Sequence, residues 1–221
     1  MNKPIRIICL TSTALALVLT GCKSANYQKG EAAASGLKDA AAKVETGEKK
    51  VDETLGAMND LVQNPQADLR PQYKKFSSGV DDLGALAKHV KQSFESMSAR
   101  GKSYFAQWEK ETAAIHNEDL RAQSVTRKAE VSTALENVKR LYAETEIAIQ
   151  PFMLDLRDIQ KYLGTDLTTG GVATLKNTAT KATANGTKVK DSLNHLAAEF
   201  RKLGVSMASS AEPPKTEATA K

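Results

Sequence analysis

The apolar residues of this chain recur at alternating steps of four and three along most of its length. The clearest series runs without interruption from Leu69 to Trp108. Its members are Leu69, Tyr73, Phe76, Val80, Leu83, Ala87, Val90, Phe94, Met97, Gly101, Tyr104 and Trp108. A sustained three-four repeat with charged residues between is typical of a helix that packs along one seam, as in a coiled coil. The spacing is not that of a strand.

Three further series have the same spacing and predict three more helices. The first contains Leu37, Ala41, Val44, Val51, Leu55, Met58 and Val62. The second contains Val131, Leu135, Val138, Tyr142, Thr145, Ile149, Phe152, Leu156, Ile159 and Leu163. The third contains Val172, Leu175, Ala179, Ala182, Gly186, Val189, Leu193, Leu196, Phe200, Leu203 and Met207. The four predicted helices cover about 35–64, 70–115, 118–163 and 171–208.

The junctions between these series have chemical causes. Pro65 and Pro71 interrupt the first junction, because proline lacks the amide hydrogen and disfavours helical geometry in the residue before it. At the second junction Asn117 is a candidate N-cap for a tight turn, and a continuous kinked helix is the alternative. The glycine- and threonine-rich segment 164–171 predicts a third stop. Pro151 lies inside the third helix and predicts a bend near Ile147.

The predicted fold class is all-α, an elongated antiparallel four-helix bundle or a pair of coiled-coil hairpins, spanning 35–208. Helices of roughly 45 residues would be nearly 70 Å long, at 1.5 Å of rise per residue, and short links make neighbours antiparallel. The seam of the fourth helix contains the small residues Ala179, Ala182 and Gly186. That helix is therefore expected to be the least stable or to pack closest to its neighbours.

The first 21 residues predict a secretory signal. Lys3 and Arg6 precede the mainly apolar stretch 7–19, which is too short to cross a bilayer. The sequence Leu19-Thr20-Gly21-Cys22 resembles the lipobox of bacterial lipoproteins, in which the cysteine is acylated, with palmitate as a typical acyl group, and becomes the first residue. In enterobacterial lipoproteins Asp after the cysteine favours inner-membrane retention. Lys23 at that position indicates the periplasmic face of the outer membrane. We expect 22–34 to be a flexible spacer and 209–221 a disordered tail.

Charge and cysteine content narrow the class of protein. Cys9 lies in the signal and Cys22 would be blocked by lipid, which leaves the mature chain without a free thiol. Loss of Lys3 and Arg6 reduces the formal charge from +5 to +3. This small excess over a long body gives little support to nucleic-acid binding, and the export signal argues against it. The expected membrane contact is the lipid anchor.

The chain lacks the sequence patterns of common catalytic sites. Gly170-Gly171 precedes a helix without the lysine of a phosphate-binding loop. Each histidine stands beside a seam position without a second one at metal-sharing spacing; the three are His89, His116 and His195. The acidic pairs Asp81-Asp82 and Glu118-Asp119 are better explained by a solvated face and a helix start. We predict no catalytic site, no metal and no cofactor. Among the aromatic residues, Phe105 lies one position off the seam and is expected either in the core or in a docking patch.

Three segments in this order carry a family resemblance: "YFAQWEKE" (104–111), "NEDLR" (117–121) and "AIQPFMLDLRDIQKYL" (148–163). They resemble segments of an uncharacterised bacterial family, the domain of unknown function 2959 proteins, and the helical layout matches from about Gly47 to Ala208. Such proteins usually carry a polar Leu-Lys-His-Asn-Leu-Asn run after the last segment, where this chain has "LGTDLTTGGVATL". The resemblance implies an exported all-helical protein and no reaction.

Three functions are compatible with these features. The favoured one is a lipid-anchored periplasmic structural or interaction protein that meets protein partners along its charged helical faces. A membrane-surface binder is the second, although it predicts a concentrated basic face and the lysines and acids are intermixed. The third is a peptidoglycan tether through Lys221, similar to the terminal lysine of the major outer-membrane lipoprotein.

Overall fold

Helices make up nearly all of the computed structural model, which describes residues 26–208. They are α1 (Asn26–Gln63), α2 (Arg70–Ala113), α3 (Glu118–Thr165), α4 (Thr169–Thr174) and α5 (Lys176–Met207). No strand occurs in this part of the chain. The all-α prediction is confirmed. The predicted signal, Cys22 and the predicted tail with Lys221 lie outside the described residues.

The four long helices form an antiparallel bundle in which each lies beside two others. α1 packs against α2 and α5, and α3 packs against the same two helices. The direction of α1 and α2 follows from their hydrogen bonds: Lys43 pairs with Ser93, whereas Asp60 pairs with Gln72. The longest helix, α3, has 48 residues and therefore extends over about 72 Å. The bundle is accordingly elongated, as the seam lengths predicted.

Both ends of the described chain lie at one end of the bundle, which we call the N/C end. A side chain added at Gly30 in α1 would lie 3.3 Å from the backbone oxygen of Met207 in α5. Arg127 of α3 donates to the Ser206 backbone oxygen at 2.8 Å. Residues 118–126 therefore extend past the end of α5, together with the last turn of α2, as a projecting hairpin tip.

The predicted seams form the core. Every predicted seam residue of α1 is buried, as are nearly all of those in α3 and α5. In α2 the prediction holds for the first half, through Phe76, Val80 and Leu83, whereas Ala87, Val90 and the later seam side chains are half-buried. The second half of α2 therefore stands less deeply in the bundle than its regular spacing predicted.

The helix ends follow the predicted chemistry in most places. α1 ends at Gln63, directly before Asn64-Pro65. Asn117 caps α3, since its side-chain oxygen accepts a hydrogen bond from the Leu120 amide at 3.0 Å. A turn therefore separates α2 from α3, and the alternative of one continuous kinked helix is wrong. The Thr168 hydroxyl accepts from the Gly171 amide at 3.0 Å and caps α4.

Two expectations about helix boundaries are wrong. The spacer was expected to reach residue 34, but α1 begins at Asn26. Gly30 and Ala34 are buried because neither has a large side chain, so the end of α5 packs closely against them. Ala34 lies beside Gly204 of α5. The predicted fourth helix is divided into α4 and α5 at Leu175, whose amide donates to Val172, three residues back, rather than to the residue four back.

Polar side chains join the helices and fix their alignment. The Asp155 carboxylate of α3 is 6% exposed and accepts hydrogen bonds from Lys181 at 2.9 Å and Asn185 at 2.8 Å, both in α5. Lys190 of α5 donates to Asp52 of α1 at 2.7 Å. A buried carboxylate needs such partners because it has lost its contact with water. These contacts specify which turns of neighbouring helices lie side by side.

Candidate functional site

The residues singled out from the sequence do not converge on one site. His89, His116 and His195 are all exposed and lie on α2, on the α2–α3 turn and on α5. Among residues 26–208, no three His, Cys, Asp or Glu side chains are grouped so as to hold a metal ion. In the same range no helix is long and apolar enough to span a bilayer. Cys22 itself precedes the described chain, and α1 starts four residues after it.

A cleft with a volume of about 580 Å³ lies between the first half of α1 and the second half of α2. The cleft is open because both helices have small residues at this point. α1 presents Ala32, Ala33 and Gly36 to this region, and α2 presents Ser93 and Ser96. A side chain placed on Gly36 would meet no atom within 4 Å. Small residues on both helices therefore leave space that neither helix fills.

The floor of the cleft is apolar and its rim is polar. Leu37, Leu135 and Leu203 contribute buried surface from α1, α3 and α5, and Met97, Phe105 and Met207 contribute half-buried surface. Methionine side chains adapt to irregular apolar surfaces, because they are unbranched and polarisable. The floor therefore belongs to the same apolar core as the seams, opened toward solvent on one side.

Charged groups on the rim are mainly basic. Lys43 and Arg100 line the cleft, with Asp39 as the acidic residue in its lining. Lys43 crosses the opening and donates to Ser93 of α2 at 3.0 Å. Arg100 is exposed and makes no hydrogen bond or ion pair with the described residues. A guanidinium group without a partner is available to an anion.

A second cavity of about 250 Å³ adjoins the cleft at Leu86, which lines both. Its walls are mostly apolar and include Val44, Leu83 and Leu196 from three helices. Tyr142 also lines it, and burial raises the pKa of the Tyr142 hydroxyl above its ordinary value, with a further contribution from Glu146. The two cavities lie where the middle of α2 is only half-buried.

The aromatic residues at the N/C end form one contacting group. The rings of Tyr104, Phe105 and Trp108 lie 5.4 to 6.5 Å apart, centroid to centroid. Trp108 donates to the Ser124 hydroxyl at 2.9 Å and so joins α2 to α3. Phe105, expected either in the core or in a docking patch, is half-buried against the core and lines the cleft.

An apolar stripe on the outer side of α3 is a separate surface. Ala143, Ile147, Pro151 and Leu154 are exposed and follow one another at steps of four, four and three. Ile147 is 69% exposed and Leu154 is 59% exposed. Such spacing places all four side chains on one face of the helix. The stripe is distinct from the buried seam of α3.

The sequence pattern identified the seams but missed the cleft. The signal that could have found it is the concentration of alanine and glycine at 30–36, which suggested a spacer instead. The small residues opposite them on α2 are the second part of this signal, since two facing helix surfaces that lack large side chains leave a gap between them.

A family model described as a protein of unknown function, DUF2959, matches residues 21–203 of the chain. The chain belongs to the DUF2959 family. The match begins one residue before Cys22 and covers α1 to nearly the end of α5, and it therefore contains most of the residues that form the bundle and line the cleft in this chain. The resemblance seen in the three sequence segments is thereby confirmed. Searches of curated proteins and of solved structures gave no match to this DUF2959 protein.

Proposed function

We propose that this DUF2959 protein is a lipid-anchored periplasmic rod of the outer membrane, which engages protein partners along its helical faces and catalyses no reaction. The observation that carries the proposal is the N/C end. Only three residues separate Cys22 from Asn26, where α1 begins. A link of that length spans at most about 14 Å, at 3.3 to 3.6 Å per residue. Acyl groups on Cys22 would hold the N/C end close to the bilayer.

The rest of the bundle would then project away from the membrane. The loop 64–69 and the loop between α3 and α4 lie at the opposite end, up to about 70 Å away, given the length of α3 and its rise of 1.5 Å per residue. Several acyl chains hold a protein firmly, because each buried methylene contributes roughly 0.8 kcal/mol. An anchored rod of this length presents its side faces to other proteins of the periplasm.

The apolar stripe of α3 is the face that best suits a protein partner. Apolar side chains exposed at helical spacing are recognised by a groove or by a second helix. The charged residues of neighbouring helices pair with one another, for example Lys190 with Asp52 and Lys128 with Glu109. Within residues 26–208 basic and acidic side chains are thus intermixed, and this supports the protein-interaction role over binding of a membrane surface.

Mass spectrometry of the mature protein tests the anchor. The expected first residue is an acylated Cys22, and the protein is expected in the outer-membrane fraction. The Cys22→Ala variant should lose the acyl mass and leave that fraction. A mature chain whose first residue carries no acyl group would overturn the proposed anchoring.

Site-specific photo-crosslinking in cells tests the interaction role. A crosslinker at Leu154 should give a discrete adduct with another protein, and the additional change Ile147→Ser should abolish it. A crosslinker at exposed Thr187 on α5 is the matched control and should give no such adduct. Equal crosslinking at both positions would count against a partner on the α3 stripe. Muropeptides joined to Lys221 would instead support the peptidoglycan tether.

A further inference from the structure

We propose that the cleft between α1 and α2 binds a long-chain fatty acid, with the acyl chain on its apolar floor and the carboxylate at Arg100. The proposal is separate from the anchoring at Cys22, because every residue that carries it lies between Ala32 and Met207.

The size and lining of the cleft fit a small amphiphile. Its volume of about 580 Å³ falls within the range of roughly 300 to 1,000 Å³ that is usual for small-molecule sites. Such sites are lined mainly by apolar side chains and contain a few polar groups that fix orientation. Leu37, Met97 and Phe105 supply the first kind of surface, and Arg100 supplies the second.

The shape is elongated along the helices. Arg100 lies near the N/C end of the cleft. A side chain added at its neighbour Gly101 would meet Leu135 of α3. One turn further along α2, the Tyr104 ring lies within 4 Å of a side chain added at Gly30. The Lys43–Ser93 hydrogen bond crosses the cleft further from the N/C end. The seven steps along α2 from Ser93 to Arg100 correspond to about 10 Å at 1.5 Å per residue. An acyl chain with its carboxylate at Arg100 would run along this length and continue toward the second cavity at Leu86.

The charge of the rim selects an anion over a cation. Lys43 and Arg100 outnumber Asp39 in the lining, and Arg100 has no partner among the described residues. A carboxylate accepts two parallel hydrogen bonds from one guanidinium group. A fatty acid would therefore cover the apolar floor with its acyl chain and pair its carboxylate with Arg100.

After removal of residues 1–21, which the proposed anchoring includes, the polypeptide outside the described residues offers no suitable apolar occupant. The segment after Ala208 reads SSAEPPKTEATAK, and the residues between Cys22 and Asn26 read KSA. Neither contains an apolar side chain larger than proline. The remaining occupant within the molecule is an acyl group on Cys22, which the experiment must distinguish from a free fatty acid.

The test uses the mature chain, residues 22–221, carrying Cys22→Ala, so that neither the predicted signal nor an acyl group is present. The protein is purified without detergent, and palmitate is the probe in isothermal titration calorimetry. Palmitate is expected to bind with a stoichiometry of one, and butyrate, which has the same charge and a short chain, is expected not to bind. No heat of binding with palmitate below its solubility limit would overturn the proposal.

Two glycine variants locate the site. Gly36→Phe places a ring in the cleft and should weaken palmitate binding at least about tenfold, because the site's volume is then occupied. Gly56→Phe is the matched control: a side chain there also meets no atom within 4 Å, and Gly56 lies outside the cleft. It should leave binding unchanged. Equal effects of the two variants would contradict the assignment. Circular dichroism and the melting temperature establish that both remain folded.

Arg100→Gln tests the position of the carboxylate. It should weaken palmitate binding by roughly tenfold, the size expected for one charge-assisted hydrogen bond, and should not change the affinity for methyl palmitate, which has no charge. Equal loss for both ligands would reject the role of Arg100. The lipidated wild type is the last arm. Absence of palmitate binding there, with binding by Cys22→Ala, would identify the chain's own acyl group as the occupant and overturn the proposal of a free fatty acid.

Discussion

Phe94 of α2 and Tyr142 of α3 lie face to face, with ring centroids 3.7 Å apart and an angle of 4° between the ring planes. The pair bridges the two helices beside the cavity at Leu86, where α2 is only half-buried. Ring stacking thus replaces part of the apolar packing that the Leu, Val and Phe seams provide elsewhere. It holds the loosest part of α2 against α3.

The Tyr142 hydroxyl makes stability depend on alkaline pH. Its pKa is raised by burial, so the folded chain keeps the proton at pH values where the unfolded chain, with a tyrosine pKa of about 10, loses it. The stabilising contribution is complete below pH 10 and is lost as pH rises further. Tyr142→Phe retains the stacked ring and removes this titration. Urea denaturation at pH 8 and at pH 11 should show a smaller loss for the variant than for the wild type.

Lysines titrate over the same pH range in both proteins, so only the difference between wild type and variant carries the prediction. An identical loss in both would mean that the hydroxyl of Tyr142 is accessible to water in the folded state.

Gly186 lies where α5 packs closely against α1 and α3. A methyl group placed there would lie 2.7 Å from Leu55 Cδ1 and 3.0 Å from Phe152 Cε2. We expect Gly186→Ala to destabilise the bundle by about 1 to 3 kcal/mol through overpacking. Gly56→Ala meets no atom and should stabilise it by about 0.5 to 1 kcal/mol through helix propensity. Chemical denaturation of the two variants would show shifts of opposite sign, and shifts of the same sign would contradict the close packing.

The buried seam leucines should carry much of the stability. Leu83 and Leu156 are 3% and 0% exposed. Replacement of either by Ala should cost about 2 to 5 kcal/mol, through lost burial and a residual cavity. Lys75→Ala, on the exposed side of α2, should change stability by less than about 0.5 kcal/mol. Thermal and urea denaturation would measure both, and equal effects would contradict the helix phase.

Asn117 separates α2 from α3 and should contribute as a cap. Its side chain accepts from the Leu120 amide. Asn117→Ala should destabilise the protein by about 1 kcal/mol, whereas Asn117→Gly should cost only a few tenths. The comparison is made by urea denaturation. A loss from the glycine variant as large as that from the alanine variant would argue against side-chain capping.

Prediction from the sequence succeeded for α3, where the signal lies within the helix and the residues next to it. The seam of α3, from Val131 to Leu163, was readable because a repeat of three and four marks the buried side without knowledge of the neighbours. The cap at Asn117 was readable because the amides it satisfies follow it directly in the chain. Prediction failed at Gly30 and Ala34, whose burial depends on the distant residues Gly204 and Met207.

The sequence by itself determined that the chain is helical, which side of each helix is apolar, and where proline, asparagine and threonine divide the helices. These properties depend on residues within a few turns of one another. The tertiary structure decided how deeply α2 lies, that the helix begins at Asn26, and that small residues of α1 face small residues of α2 across a cleft. Such gaps arise between surfaces far apart in the chain, and the repeat within one helix contains no information about the size of the side chains opposite it.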